Sequence, residues 1–114
     1  MKKQIKITTI TNNKIDNYIT NGIINDNILI YLEKDHTKTK YDYNNNCLIR
    51  ENNNIRMNYN FINKKQTIGK IYINELRKNI DVILKTNNIV IDNYNLYINF
   101  YVEDETIEYK IEVL

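Results

Sequence analysis

Between Asn54 and Phe61 the side chains alternate strictly. Ile55, Met57, Tyr59 and Phe61 are apolar, with Arg56, Asn58 and Asn60 between them. A period of two is the signature of a strand with one buried face, because successive side chains of extended chain leave on opposite sides. The pattern returns from Tyr94 to Val102, where Leu96, Ile98 and Phe100 share a face, and from Glu105 to Val113, where Ile107, Tyr109, Ile111 and Val113 do. The one stretch with helical character, Asn74 to Lys78, amounts to a single turn at most. The chain therefore reads as all-β.

Followed end to end, the alternation divides the chain into strands at about Lys3 to Thr11, Ile15 to Ile24, Asn27 to Glu33, Lys38 to Tyr43, Cys47 to Glu51, Asn54 to Phe61, Thr67 to Ile73, Asn79 to Thr86, Ile89 to Ile91, Tyr94 to Glu103 and Glu105 to Val113. Between them stand pairs such as Asn12-Asn13, Asn25-Asp26, Asn87-Asn88 and Asp92-Asn93. Asn and Asp tolerate the left-handed backbone that tight turns need, so no proline is required. Connections this short permit only antiparallel neighbours, since a parallel crossover takes a dozen or more residues. The chain is thus a meander. With 114 residues it falls in the single-domain range, so residues 1–114 are expected to form one domain that removes about two-thirds of its unfolded surface from water. Many meandering strands, each apolar on one face, hide that face and lose their edges together by closing into a barrel. A sandwich would need longer crossing connections than this chain supplies.

From about Ile28 onward particular residues carry a resemblance. They are the Ile-Leu-Ile-Tyr-Leu-Glu segment starting at Ile28, then Leu48-Ile49-Arg50, and after a short turn Ile55-Arg56-Met57-Asn58-Tyr59-Asn60-Phe61. Lys65-Gln66-Thr67-Ile68, the strand end at Lys85-Thr86 and the last two long strands continue it. The order of an arginine, a tight turn and alternating apolar residues ending in phenylalanine resembles the YwiB-like family, small bacterial proteins of unknown function. An Asn-rich turn replaces the family's glycine after that arginine. The resemblance spans about three-quarters of the chain. It implies a calycin-like, that is lipocalin-like, antiparallel β-barrel of about 8–10 strands. Its matched positions are structural, and it brings no catalytic residues with it.

Composition narrows the function classes. The net charge is +2, with acids and bases mixed along the chain, and Ile and Asn each supply about a fifth of the residues. That bias fits an AT-rich coding genome, and it makes an Asn cluster a turn before it is anything else. Neither a basic tail nor a nucleic-acid motif is present, so single-stranded nucleic-acid binding through lysines and stacked tyrosines is the weakest of the readings. No apolar run reaches the roughly 18–20 residues of a membrane span, and no leader-like apolar segment follows Met1. Cys47 is the single cysteine, which fits a reducing compartment and a cytoplasmic protein.

Four sets of side chains are candidates for chemistry. Arg50 and Arg56 flank one turn, where two guanidinium forks together would clamp a carboxylate or phosphate. The plainer alternative is that Arg56 faces outward and Arg50 pairs with an acid such as Glu51 or Glu33. Ten tyrosines are spread over the strands. Tyr59, Tyr94 and Tyr109 share the apolar face of theirs, so their rings are expected inside the barrel, as core or as the lining of a ligand pocket. Tyr18, Tyr31, Tyr43, Tyr72, Tyr97 and Tyr101 would instead lie on the outer surface, where a contiguous aromatic patch would dock a partner. His36, in an acidic turn, is too little for a metal site, and Cys47 reads as a buried, inert thiol. Metal and cofactor are therefore both expected to be absent. Without a convincing nucleophile, histidine base or metal cluster, turnover would fall to Arg, Tyr and carboxylates alone, and an enzyme is the least supported class.

Two functions remain. One is a binding module holding a small apolar or amphipathic ligand in the barrel, oriented by Arg50, Arg56, Tyr59, Tyr94 or Tyr109. The other is a protein–protein interaction module, a homodimer included, whose barrel is filled by its own side chains. A cavity above about 300 Å³ separates them.

Overall fold

The computed structural model describes residues 1–114. It holds ten strands and no helix: β1 (Lys2–Thr11), β2 (Lys14–Asn25), β3 (Ile28–Leu32), β4 (Lys38–Asp42), β5 (Cys47–Glu51), β6 (Ile55–Asn60), β7 (Gln66–Ile73), β8 (Lys78–Asp92), β9 (Asn95–Val102) and β10 (Glu105–Val113). Every strand pairs antiparallel with its sequence neighbours, and β1 pairs with β10 from Ile5 opposite Val113 to Thr11 opposite Ile107. The sheet is a closed barrel. The first two strands complete it within the chain.

Turn chemistry sets the registers. Asn12 and Asn13, Asp26 and Asn27, and Asn93 and Tyr94 form two-residue turns in which both residues have positive φ, between 49° and 69°. That is the type I′ geometry whose twist matches the flanking strands. Asn and Asp provide it in a chain with two glycines. The second and third of these turns depart from the sequence reading, in which Asn27 and Tyr94 each open a strand. Tyr94 is a turn residue and not the first residue of a strand, and a bulky side chain at φ 69° is uncommon.

A second departure is in β8. The segments at Asn79 to Thr86 and Ile89 to Ile91 are one strand, and Asn87-Asn88 is a bulge within it, not a turn between two. The extra residue flips the face of the strand beyond it, so Thr86 and Ile89 both point inward although three positions separate them. Asn74 to Arg77 is a turn closed by the Arg77 amide on the Asn74 carbonyl, without helix.

Alternating strand direction gives the barrel two ends. The lower end carries both termini and the β2–β3, β4–β5, β6–β7 and β8–β9 connections; the upper end carries the rest. Seventeen buried apolar side chains form one core. Phe61 and Phe100 lie with ring centroids 4.8 Å apart, and Tyr59 meets each of them edge-on at 6.4 Å. Gly69 on β7 makes room for that cluster, since a Cβ there would sit 2.7 Å from Tyr59 Cδ1. Gly22 does the same for Leu29.

Near the upper end the wall loosens. The ladder between β2 and β3 covers only Gly22–Asn25 opposite Ile28–Tyr31. From Asn21 back to Lys14, β2 is paired with β1 alone. There its alternation is inverted: Ile15 and Ile19 are exposed, while Lys14, Asp16 and Tyr18 share the inward parity of the buried Gly22 and Ile24.

Candidate functional site

Where β2 parts from β3, the interior is hollow. A cavity of about 590 Å³ enters the barrel there, lined by sixteen residues of which ten are hydrophobic. Ile7, Leu48, Met57 and Phe100 give its apolar walls. At this end, therefore, the barrel is not filled by its own side chains.

Its polar side follows from register. Tyr31 stands opposite Thr39, Thr39 opposite Arg50, and Arg50 opposite Met57, so four neighbouring strands present these side chains inward in one row. Just beyond β3, Glu33 reaches into the same place. Arg50 donates to it twice, Nε to Oε2 and Nη2 to Oε1, both at 2.6 Å. Such a two-pronged pair fixes direction as well as distance. The Thr39 hydroxyl adds a third bond to Glu33 Oε2 at 2.5 Å. At its own backbone Glu33 donates to the Thr37 carbonyl, and the Thr37 hydroxyl accepts from Asn52 Nδ2 at 3.0 Å. Both ends of Glu33 are held. The pair is partly shielded, with side-chain exposures of 34% for Arg50 and 18% for Glu33.

Three tyrosines complete the cluster. The hydroxyls of Tyr31 and Tyr109 are hydrogen-bonded to each other across the interior. Burial pushes the ionisation of both well above the ordinary phenol range. Tyr18 is raised to about 12, by burial first and by the negative charge of Glu33 second. The guanidinium of Arg50 is held more firmly charged by its bonds to Glu33. At neutral pH the cluster therefore comprises neutral phenols around one ion pair.

Of the five residues that the sequence proposed for ligand contact, Arg50, Tyr59 and Tyr109 line the cavity. Arg56 does not. It stands opposite Glu51, one step from the Arg50–Met57 pair, so its side chain leaves by the outer face and pairs with Glu51 at 3.0 Å in solvent. A two-arginine clamp is therefore ruled out by strand parity. Tyr94 does not line it either. Its turn is at the lower end, where its ring packs edge-on against Tyr43 at 5.2 Å and its hydroxyl donates to Asn27 Oδ1.

Tyr31 and Tyr18, expected on the outer surface, both line the cavity, and Tyr31 is among the buried core. Tyr43 is likewise packed against the core. Glu33, named in the sequence only as a possible mate for Arg50, is part of the site. Cys47 lies outside it, half-buried, with its thiol donating to Asn58 Oδ1 and made less acidic by burial. His36 is exposed in the β3–β4 loop with φ 67°.

Known proteins bear on the architecture alone. No protein-family model matches the sequence, and no curated protein matches it. Among solved structures, the crystal structure of the ywiB protein from Bacillus subtilis superposes with a TM-score of 0.69 over 99% of this chain and 93% of that one, at 15% identity. The fold is YwiB-like. At that identity the likeness is one of backbone architecture, and the cavity chemistry stands on this chain's own residues.

The arrangement is suited to recognition. Apolar walls offer burial for a hydrocarbon portion, and a cluster of donors and acceptors fixes one end of whatever enters.

Proposed function

We propose that the chain is a small-molecule binding protein of lipocalin-like, calycin-like character, which takes an amphipathic ligand into the upper half of its barrel. The observation carrying the proposal is the cavity. Its volume of about 590 Å³ lies within the ~300–1,000 Å³ common to ligand sites, and a mostly apolar lining with a few convergent polar groups is the usual composition of such sites. Burying the ligand's apolar part supplies the driving force, on the order of 25 cal/mol per Å² removed from water. The cluster around Arg50, Glu33, Tyr31 and Tyr109 supplies orientation. We also read the chain as a relative of the YwiB-like family working in the cytoplasm. The shared fold supports the first statement and the unpaired Cys47 the second.

Native mass spectrometry of protein purified from its own host tests the reading, together with titration of the purified protein with the fluorescent apolar probe N-phenyl-1-naphthylamine. A bound small molecule of defined mass, or saturable 1:1 probe binding that Met57→Trp abolishes by filling the cavity, is the expected result. A bare protein with no saturable probe binding overturns it.

A further inference from the structure

An arginine inside a ligand cavity ordinarily suggests an acid as the ligand. Here its charge is already matched. Glu33 takes both Nε and Nη2 of Arg50 at 2.6 Å and is itself fixed by Thr39 and by the β3–β4 loop. The charged residues lining the cavity are Lys14, Asp16, Glu33 and Arg50, two of each sign. We infer that the cavity selects an uncharged amphiphile bearing a hydrogen-bond acceptor, such as an alcohol, ester, ketone or amide, and that Glu33 is the residue that rejects anions. The inference rests on the reading of the barrel as a ligand site.

Three features carry it. First, a ligand carboxylate at the free side of the guanidinium would put a second negative charge beside Glu33 in a half-desolvated site, where like charges repel far more than in water. To take Glu33's place it would have to break three hydrogen bonds that the protein already makes. Second, the cluster still has donors to offer. Arg50 Nη1 has no hydrogen-bond partner in the fold, since its bonds to Glu33 use Nε and Nη2. The Tyr31–Tyr109 bond uses one phenol proton of two. Third, these phenols are neutral at physiological pH, as any tyrosine is, and burial moves their ionisation further from it. Spare donors in a cluster without net charge match a neutral oxygen, whose unshared pairs accept them at little desolvation cost. A ligand cation gains little either, because the Glu33 carboxylate is already engaged by Arg50 and Thr39 and the Asp16 carboxylate by Lys34 at 3.3 Å.

The test uses one chain length with four head groups: decanol, methyl decanoate, decanoate and decyltrimethylammonium, each displacing N-phenyl-1-naphthylamine from the full-length protein at pH 8. Decanol and the methyl ester are expected to compete at concentrations at least about tenfold below either ion. Glu33→Gln leaves the guanidinium without its counter-charge. Decanoate should then gain about tenfold or more, while decanol changes by less than about threefold. The wild-type series stands by itself if that variant does not fold. Decanoate competing as well as decanol in the wild type overturns the inference while leaving the binding function intact, as does a Glu33→Gln protein with unchanged head-group preference. Failure of the probe and of all four compounds to bind overturns both.

Discussion

Arg50 and Arg56 show how much one register step decides. They flank the same hairpin, and both pair with a glutamate, but Arg50 faces Glu33 inside the barrel while Arg56 meets Glu51 in water. Truncating Arg50 leaves the Glu33 carboxylate partly buried with Thr39 as its remaining side-chain partner, and an uncompensated charge in such a place is costly. Arg50→Met is expected to lower stability by about 2 kcal/mol in urea unfolding, the partial exposure of the pair keeping it below the fully buried case. Arg56→Met should change stability by no more than about 0.5 kcal/mol. Equal effects would contradict the assignment of faces. Sequence alone could nominate both arginines and name Glu33 as a mate for one. The alternation of Ile55, Met57 and Tyr59 already put Arg56 on the polar face and favoured Arg50, but it could not choose between Glu33 and Glu51 as the mate of Arg50, because that depends on which strand lies beside β5.

Strands with clean alternation were legible, and those without it were not. β6, β9 and β10 each present apolar residues at every second position and have the faces that their sequences predict. β3 reads Ile-Leu-Ile-Tyr-Leu, apolar at all five positions, so periodicity could not tell that Leu29 and Tyr31 point in and Ile30 points out. β2 is harder still, because its Ile15, Ile19 and Ile23 face solvent and its Lys14, Asp16 and Tyr18 face the cavity. One signal was available: a glycine inside a strand marks a close approach, and Gly22 shares its parity with those three residues. Gly69 is the matching device in β7. It lets the Tyr59 ring lie against bare backbone, and the ring then closes part of the cavity wall. Gly69→Ala brings a methyl to 2.7 Å from Cδ1 and 2.8 Å from Cε1 of that ring, contacts that only movement of Tyr59 relieves. The expected cost is about 1–3 kcal/mol, with a weakened affinity for N-phenyl-1-naphthylamine. A Gly69→Ala protein with wild-type stability and unchanged probe affinity would show that the ring is not held by this contact.

For the molecule as a whole, closing a sheet around so many tyrosines makes stability depend on keeping their hydroxyls protonated. Seven of the ten tyrosines have their ionisation raised: Tyr18, Tyr31, Tyr41, Tyr43, Tyr59, Tyr97 and Tyr109. In six the first cause is burial, and in Tyr97 it is the hydrogen bond that its hydroxyl donates to Glu108. Unfolded tyrosines ionise near pH 10. Above that pH the unfolded chain releases phenolic protons that the folded barrel retains, so the unfolded state binds fewer protons and stability must fall as pH rises. The stabilisation is complete below about pH 10 and disappears as pH climbs through the folded values, with Tyr18 at about 12 among the first of the cavity tyrosines to go. Thermal melts are accordingly expected to hold their midpoint up to about pH 9 and to drop steeply between about pH 10 and 12. Phenolate absorbance should lag that of the urea-unfolded chain and rise together with the loss of β-sheet circular dichroism. If all ten tyrosines ionise near pH 10 while the sheet signal stays intact, the phenols are not buried as described. A ligand that covers Tyr18, Tyr31 and Tyr109 should shift the alkaline transition upward, since anything bound to the folded state alone stabilises it by mass action. The same titration, repeated with saturating decanol, therefore reports occupancy of the cavity from the tyrosines that line it.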